Sequence, residues 1–350
     1  MSKPLTDIYP LLFEPNLHTV VWGGQRITRW KGLPVCESVG ESWEVSAVPG
    51  NESIISNGPS KGMLLSDYIE RNPSAVLGQK VAAKCGNKLP LLVKFIDAQK
   101  DLSIQVHPND LMAKSEHGKL GKTEMWYVID AEPGASLYAG FKDELSREEY
   151  IKLVEKGEIC NALARHEVHR GDVFYIPAGR IHAICGGVML AEVQQSSDVT
   201  YRIYDYNRPG LDGKPRELHT DLAVKALDFK VEDDYRTRYS QEQNSANRVV
   251  ESEYFSVRVT EFSEPFHRNL KKYDSFIICM CLSGDCRIRI RGTEDNVLLK
   301  EGFSCLIPAS VADYDIVPVG EKSRVLDAFI DNMDRSLAGI VTRFLHISQF

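Results

Sequence analysis

One twelve-residue pattern occurs twice in this 350-residue chain. Gly171 to His182 and Gly302 to Asp313 share G-x5-P-A followed by Gly or Ser, at a constant offset of 131 residues. Both copies fall at equivalent points of strand-rich blocks. A strand running into a proline turn and then another strand, placed twice, points to one β-barrel or jelly roll built two times over. In the second copy, Asp313 stands where the first has His182.

The surrounding pattern agrees. Leu91–Ile96, Leu102–His107, Trp126–Ile129, Gly171–Pro177 and Val188–Val193 read as strands, as do shorter pieces at 255–259, 275–279 and 286–290. Leu65, Ile69, Val76 and Val81 have helical spacing, and Pro73 is expected to divide that stretch into two short helices. Ser146-Arg147-Glu148-Glu149 is a capping box opening one further helix. Residues 230–247 are polar and lack an apolar period, so the boundary falls there. The expected fold is mainly β: residues 1–235 form a first domain with helical insertions, and residues 236–350 form a second barrel whose Asp313 replaces the histidine of the first.

Composition removes several alternatives. No apolar run approaches the ~18 residues of a membrane span, and the N-terminus shows no secretory pattern. A cytoplasmic chain is therefore expected, its eight cysteines reduced and free of any C-x-x-C pair. A formal net charge of −7 argues against nucleic acid as a partner. A small anion held by local cations remains compatible, whereas oligomeric state is left open.

Gly171, Pro177, Gly179 and His182 fit G-x5-P-x-G-x2-H, the second signature of the cupin barrel, although Gly186 stands where Asn usually follows. The first cupin signature, H-x-H with a nearby Glu, is replaced by Gln105-Val106-His107 and a Glu delayed to position 124. The i, i+2 spacing puts Gln105 and His107 on one strand face. Two imidazoles, a carboxylate and an amide oxygen would make a four-ligand site with room for water or substrate.

Those stretches, with Gly121–Trp126, Ile176–Ala183 and Glu192–Arg202, resemble the type I mannose-6-phosphate isomerases, in their shorter bacterial branch without the large helical domain. The resemblance implies one Zn2+ per chain on Gln105, His107, Glu124 and His182, and a catalytic role for Arg202. It implies interconversion of D-mannose 6-phosphate and D-fructose 6-phosphate through a cis-enediol. Glu192 and Lys122 are the further candidates for proton transfer or substrate positioning. Two other classes fit the residues: a non-haem iron oxygenase, because two His and one carboxylate suit Fe(II), and a non-catalytic sugar-phosphate-binding cupin. Trp22, Trp43 and the histidines at 18, 117, 166, 169, 219, 267 and 346 are assigned structural or surface places.

Overall fold

In the computed structural model, residues 8–293 and 296–331 are described. Four antiparallel sheets make two barrels. The first barrel pairs a six-stranded sheet (Leu17–Gly24, Val39–Val45, Leu91–Ala98, Val188–Gln195, Glu124–Ala131, Val173–Ile176) with a five-stranded one (Tyr201–Tyr204, Ile104–Val106, His182–Ile184, Ser136–Phe141, Leu163–Glu167). In the second, the six-stranded sheet runs Leu11–Leu12, Ser304–Ile307, Ile277–Ser283, Ser323–Phe329, Ser256–Phe262, Asn247–Glu251. Its four-stranded companion is Phe266–Asn269, Asp313–Pro318, Cys286–Ile290, Asn296–Leu299. The duplicated, mainly β cupin architecture expected from the repeat is the architecture observed.

The two six-stranded sheets pack back to back. Val93, Phe95, Met125, Tyr127, Ala191 and Val193 share one core with Val257, Ile278, Met280, Leu306 and Leu326. Strand residues alternate between faces, so the intervening positions point into the first barrel, where Ile96, Trp126, Val128 and Leu190 meet Leu137 and Ile184 of the five-stranded sheet. This double burial explains why Leu91–Ala98 is buried throughout, a pattern closer to a covered parallel strand than to an ordinary half-exposed one. It also fixes parity: Lys94, Glu124, Trp126 and Glu192 all fall on the inward set. The strand Leu11–Leu12 crosses over to pair with Cys305 and Leu306 of the second barrel. A buried Lys31–Glu44 pair at 2.7 Å joins the barrels, Lys31 also donating to the Gly302 carbonyl and Ser304 to Glu44 at 3.1 Å.

Three local expectations change. The helical insertion has three helices, Leu65–Arg71, Pro73–Leu77 and Gln79–Cys85. The second break is at Gly78, whose φ of +92° and close approach to the Asp274 carbonyl exclude a side chain. The 102–107 strand shortens to Ile104–Val106 because Pro108 has no N–H to extend the ladder. Within the polar 230–247 stretch, Tyr235 is buried, donating to the Phe141 carbonyl at 2.9 Å. The capping box forms as read, with Ser146 and Glu149 satisfying each other's backbone at the start of Arg147–Glu155. That nine-residue helix is the longest among the described residues, and none is long and apolar enough to cross a membrane.

Candidate metal centre

Two short strands bring the expected ligands together. His182 opens the strand His182–Ile184 directly opposite Gln105, and Arg202 lies opposite Gln105 on the other side, giving one row across the five-stranded sheet. Gly179 makes the preceding turn with φ +90°. His107 donates from Nδ1 to the Val199 carbonyl at 2.9 Å, and His182 from Nδ1 to the Arg180 carbonyl at 2.8 Å. With Nδ1 protonated, each Nε2 carries the lone pair, the arrangement that orients imidazole toward a metal. Burial foremost, reinforced by the nearby Lys122 ammonium, pushes His107 down to about 3; burial likewise lowers His182. Both rings are therefore neutral at physiological pH, as ligation requires.

Glu124 reaches between them. Its Oε2 lies 3.4 Å from His107 Nε2 and its Oε1 3.4 Å from His182 Nε2. The three potential ligand atoms fall within 4.8 Å of one another, and all three residues are buried. Glu124 Oε1 is left without a hydrogen-bond partner, a costly state that a cation would relieve. The Gln105 amide nitrogen is 3.2 Å from His182 Nε2, so half a turn of the amide presents its oxygen to the same space. These donors fit a divalent metal. Lys122 Nζ meanwhile donates to Glu124 Oε2 at 2.5 Å and contacts His107 Nε2 at 3.0 Å.

The adjoining wall carries charge that sequence reasoning missed. Trp43, Lys94, Glu192 and Trp126 face one another in register across four strands. Lys94 Nζ stands 3.4 Å from both Glu41 and Glu192, and 4.7 Å from the Trp43 ring centre. His18 stacks on Trp43 with centroids 4.7 Å apart. Trp126 donates to Glu192 Oε1 at 3.2 Å, and Oε2 has no hydrogen bond. Burial raises the Glu192 carboxyl above its usual range despite Lys122 and Lys94 nearby. The signal for Lys94 was present in Leu91-Leu92-Val93-Lys94-Phe95-Ile96: a lone charge inside an apolar strand needs partners if that strand is buried. Trp22 does join the hydrophobic core.

Comparison with known proteins is decisive for the family. Residues 11–166 match the description "Phosphomannose isomerase type I, catalytic domain", and 245–325 match "Mannose-6-phosphate isomerase, cupin domain". Mannose-6-phosphate isomerase ManA of Bacillus subtilis is 34% identical over 310 residues, covering 88% of this chain and 95% of that protein. The chain belongs to the type I mannose-6-phosphate isomerase family. The Streptococcus mutans mannose-6-phosphate isomerase is 33% identical over 307 residues, covering 87% and 94%. A crystal structure of the Bacillus subtilis mannose 6-phosphate isomerase superposes with a TM-score of 0.81 at 32% identity, covering 91% of this chain and 99% of that one.

The remaining residues singled out within this phosphomannose isomerase chain divide clearly. Residues 196–200 separate the strand of Glu192 from that of Arg202, and the two strands lie in different sheets. Arg202 donates to the Glu217 carbonyl at 2.9 Å, and its Nε has no partner. Asp205 pairs with Arg208 and Arg216, at 2.7 and 2.6 Å, rather than with Arg202. His117 meets the Tyr201 hydroxyl at 2.9 Å, and His219 packs behind Arg202. His346 lies outside the described residues. In the second barrel, Asp313 is bound by His267 at 2.9 Å and Lys271 at 3.1 Å.

Proposed function

We propose that this chain interconverts D-mannose 6-phosphate and D-fructose 6-phosphate by moving a proton between C2 and C1 through a cis-enediol. The observation that carries the reading is the buried convergence of His107, Glu124 and His182 beside Lys122 in a chain of this family. Gln105, His107, Glu124 and His182 would hold one Zn2+ per chain, which their nitrogen and oxygen donors suit. When bound, the metal supplies Lewis-acid polarisation of the sugar's C1 and C2 oxygens.

The chain's own groups do the rest. Glu192, its carboxyl raised by burial and one oxygen held only by the Lys94 ion pair, is suited to take or return a proton. Lys122 offers an ammonium beside Glu124 and His107 for positioning or proton transfer. Arg202 stabilises negative charge on the enediol side. Arg202, Arg208 and Arg216 gather around the Asp205 and Glu217 carboxylates, leaving one positive charge in excess, suited to phosphate. We assign the catalytic unit to residues 1–235 and the metal-free barrel to 236–350. The free thiols suit a cytoplasmic setting.

The test is a coupled assay of fructose 6-phosphate formation from mannose 6-phosphate, with chelator and after zinc is restored. Turnover abolished by chelator and recovered with zinc is expected. Absence of turnover in the zinc-loaded protein, or oxygen uptake by an iron-loaded one in its place, would overturn the reading.

A further inference from the structure

Asp110 begins the helix Asp110–His117 three residues after His107, but Asn109 is the residue that caps that helix. The Asp110 carboxylate turns elsewhere. Its Oδ1 accepts from Gly121 N at 2.8 Å and from Gln195 Nε2 at 3.0 Å. Gln195 Oε1 accepts from Thr123 N at 2.9 Å, and Gln195 N donates to the Thr123 carbonyl at 3.1 Å. Lys122 N donates to the Pro108 carbonyl at 3.1 Å. The three residues before Glu124 are thus tied to the turn after His107 and to the end of the strand bearing Glu192. The approach is tight: a Cβ on Gly121 would lie 2.6 Å from the backbone of Asn109 and Asp110. Tyr254, from the second barrel, lies close enough to Asp110 and Glu253 for both carboxylates to act on its hydroxyl.

We propose that Asp110 is a positioning residue: with Gln195 it locks Lys122 and Glu124 against His107, and Tyr254 lets the second barrel brace that lock. A ligand set works only when its geometry is held to about half an ångström. The buried Gly121 N–H and Gln195 amide lose their shared acceptor if Asp110 is removed, so the Glu124 carboxylate then samples positions away from the two imidazoles. The role of the lock in turnover rests on the proposed isomerase reading; its role in metal retention does not.

The experiment compares Asp110→Ala, Asp110→Asn and Tyr254→Phe with the unaltered full chain. Zinc affinity is read by competition with a chromophoric chelator, and kcat and KM are measured at saturating zinc well below the melting temperature. Asp110→Ala is expected to weaken zinc by about 10–100-fold, as loss of such supports does, and to lower kcat with KM nearly unchanged. Asp110→Asn keeps an acceptor oxygen and stays near the unaltered protein, while Tyr254→Phe shifts zinc affinity in the same direction by less. Should Asp110→Ala fail to fold, Gln195→Met removes the side-chain bonds to Thr123 N and Asp110 Oδ1 and carries the same expectation. Unaltered zinc affinity and kcat in Asp110→Ala or Gln195→Met would overturn the lock, as would Asp110→Asn being as impaired as Asp110→Ala. If the unaltered protein holds zinc but isomerises nothing, and Asp110→Ala still loosens zinc, the isomerase reading falls and the lock stands.

Discussion

Lys122→Met separates the two things that Lys122 does. In the metal-free protein its ammonium is the main counter-charge for Glu124, with both residues buried. Removing one partner of such a pair costs about 3–5 kcal/mol. At about 1.4 °C per kcal/mol for a chain of this size, metal-free Tm should fall by roughly 4–7 °C. The sign with pH follows from Glu124. Burial pushes its carboxyl up, but Lys122 and the neighbouring imidazoles outweigh this and hold it well below the usual range. That stability is present above the unfolded pKa and lost as pH falls through the folded one. Without Lys122, burial prevails and the folded pKa rises above the unfolded value. The variant's deficit then grows with pH, by up to about 1.4 kcal/mol per unit. The Tm gap should be wider at pH 8 than at pH 5. With zinc the gap narrows, because an ammonium about 4 Å from a divalent ion costs about 2 kcal/mol even at the dielectric constant of water. Zinc should bind Lys122→Met about thirtyfold more tightly or better, while isomerase turnover falls. Differential scanning calorimetry with and without chelator, plus zinc competition, reads all three. A pH-independent Tm gap, or zinc held no more tightly, would refute this account of Lys122.

Elemental analysis of the purified chain should find about one divalent metal per molecule, and His182→Ala should lose most of it together with activity; metal shared equally by both barrels contradicts this assignment. Arg202→Ala should lower kcat about a hundredfold with metal content intact, since an arginine cannot readily act as a base; a rise in KM alone would move Arg202 to uniform phosphate binding. Arg268 and Asp327 form a buried ion pair in the second barrel, so Arg268→Ala should destabilise the chain by about 3–5 kcal/mol in denaturant titration, with zinc affinity and kcat unchanged at low temperature.

What the sequence disclosed depended on how local the determinant was. The capping box at Ser146 and the turn at Pro177 and Gly179 are short-range chemistry, and both are seen in the fold. Gln105 and His107 could be placed on one face by spacing alone, whereas bringing Glu124 between two imidazoles required two sheets to close on each other. Lys94 and Glu41 escaped notice because their meaning comes from partners on neighbouring strands. Gly78 escaped because its constraint is the Asp274 backbone nearly two hundred residues away. The lock at Asp110 was equally hidden, since an acidic residue in the first helical turn has a sufficient local explanation.

The duplication shows why only one ligand replacement was visible in the repeat. The motif aligns His182 with Asp313, and strand pairing carries that alignment outward. Gln105 is opposite His182, as Asn269 is opposite Asp313; two residues on, Lys271 takes the place of His107. Glu124 pairs with Ile176 and Gln194, as Ile277 pairs with Ile307 and Phe329, so Ile277 stands for Glu124. The same register sets Asp327 where the first barrel has Glu192. These pairs lie at different sequence offsets because loops change length freely while hairpin register cannot slip without turning the buried face outward. The substitutions also act together. Ile277 removes the carboxylate, Lys271 brings a fixed cation to Asp313, and Arg268 neutralises Asp327. Restoring histidine at position 313 alone would therefore supply an imidazole beside an ammonium and an isoleucine, which is a poorer metal site than the first barrel has even with Lys122 present. The second barrel's contribution has to be sought in what it presses against the first, through Leu11–Leu12, the Lys31–Glu44 junction and Tyr254.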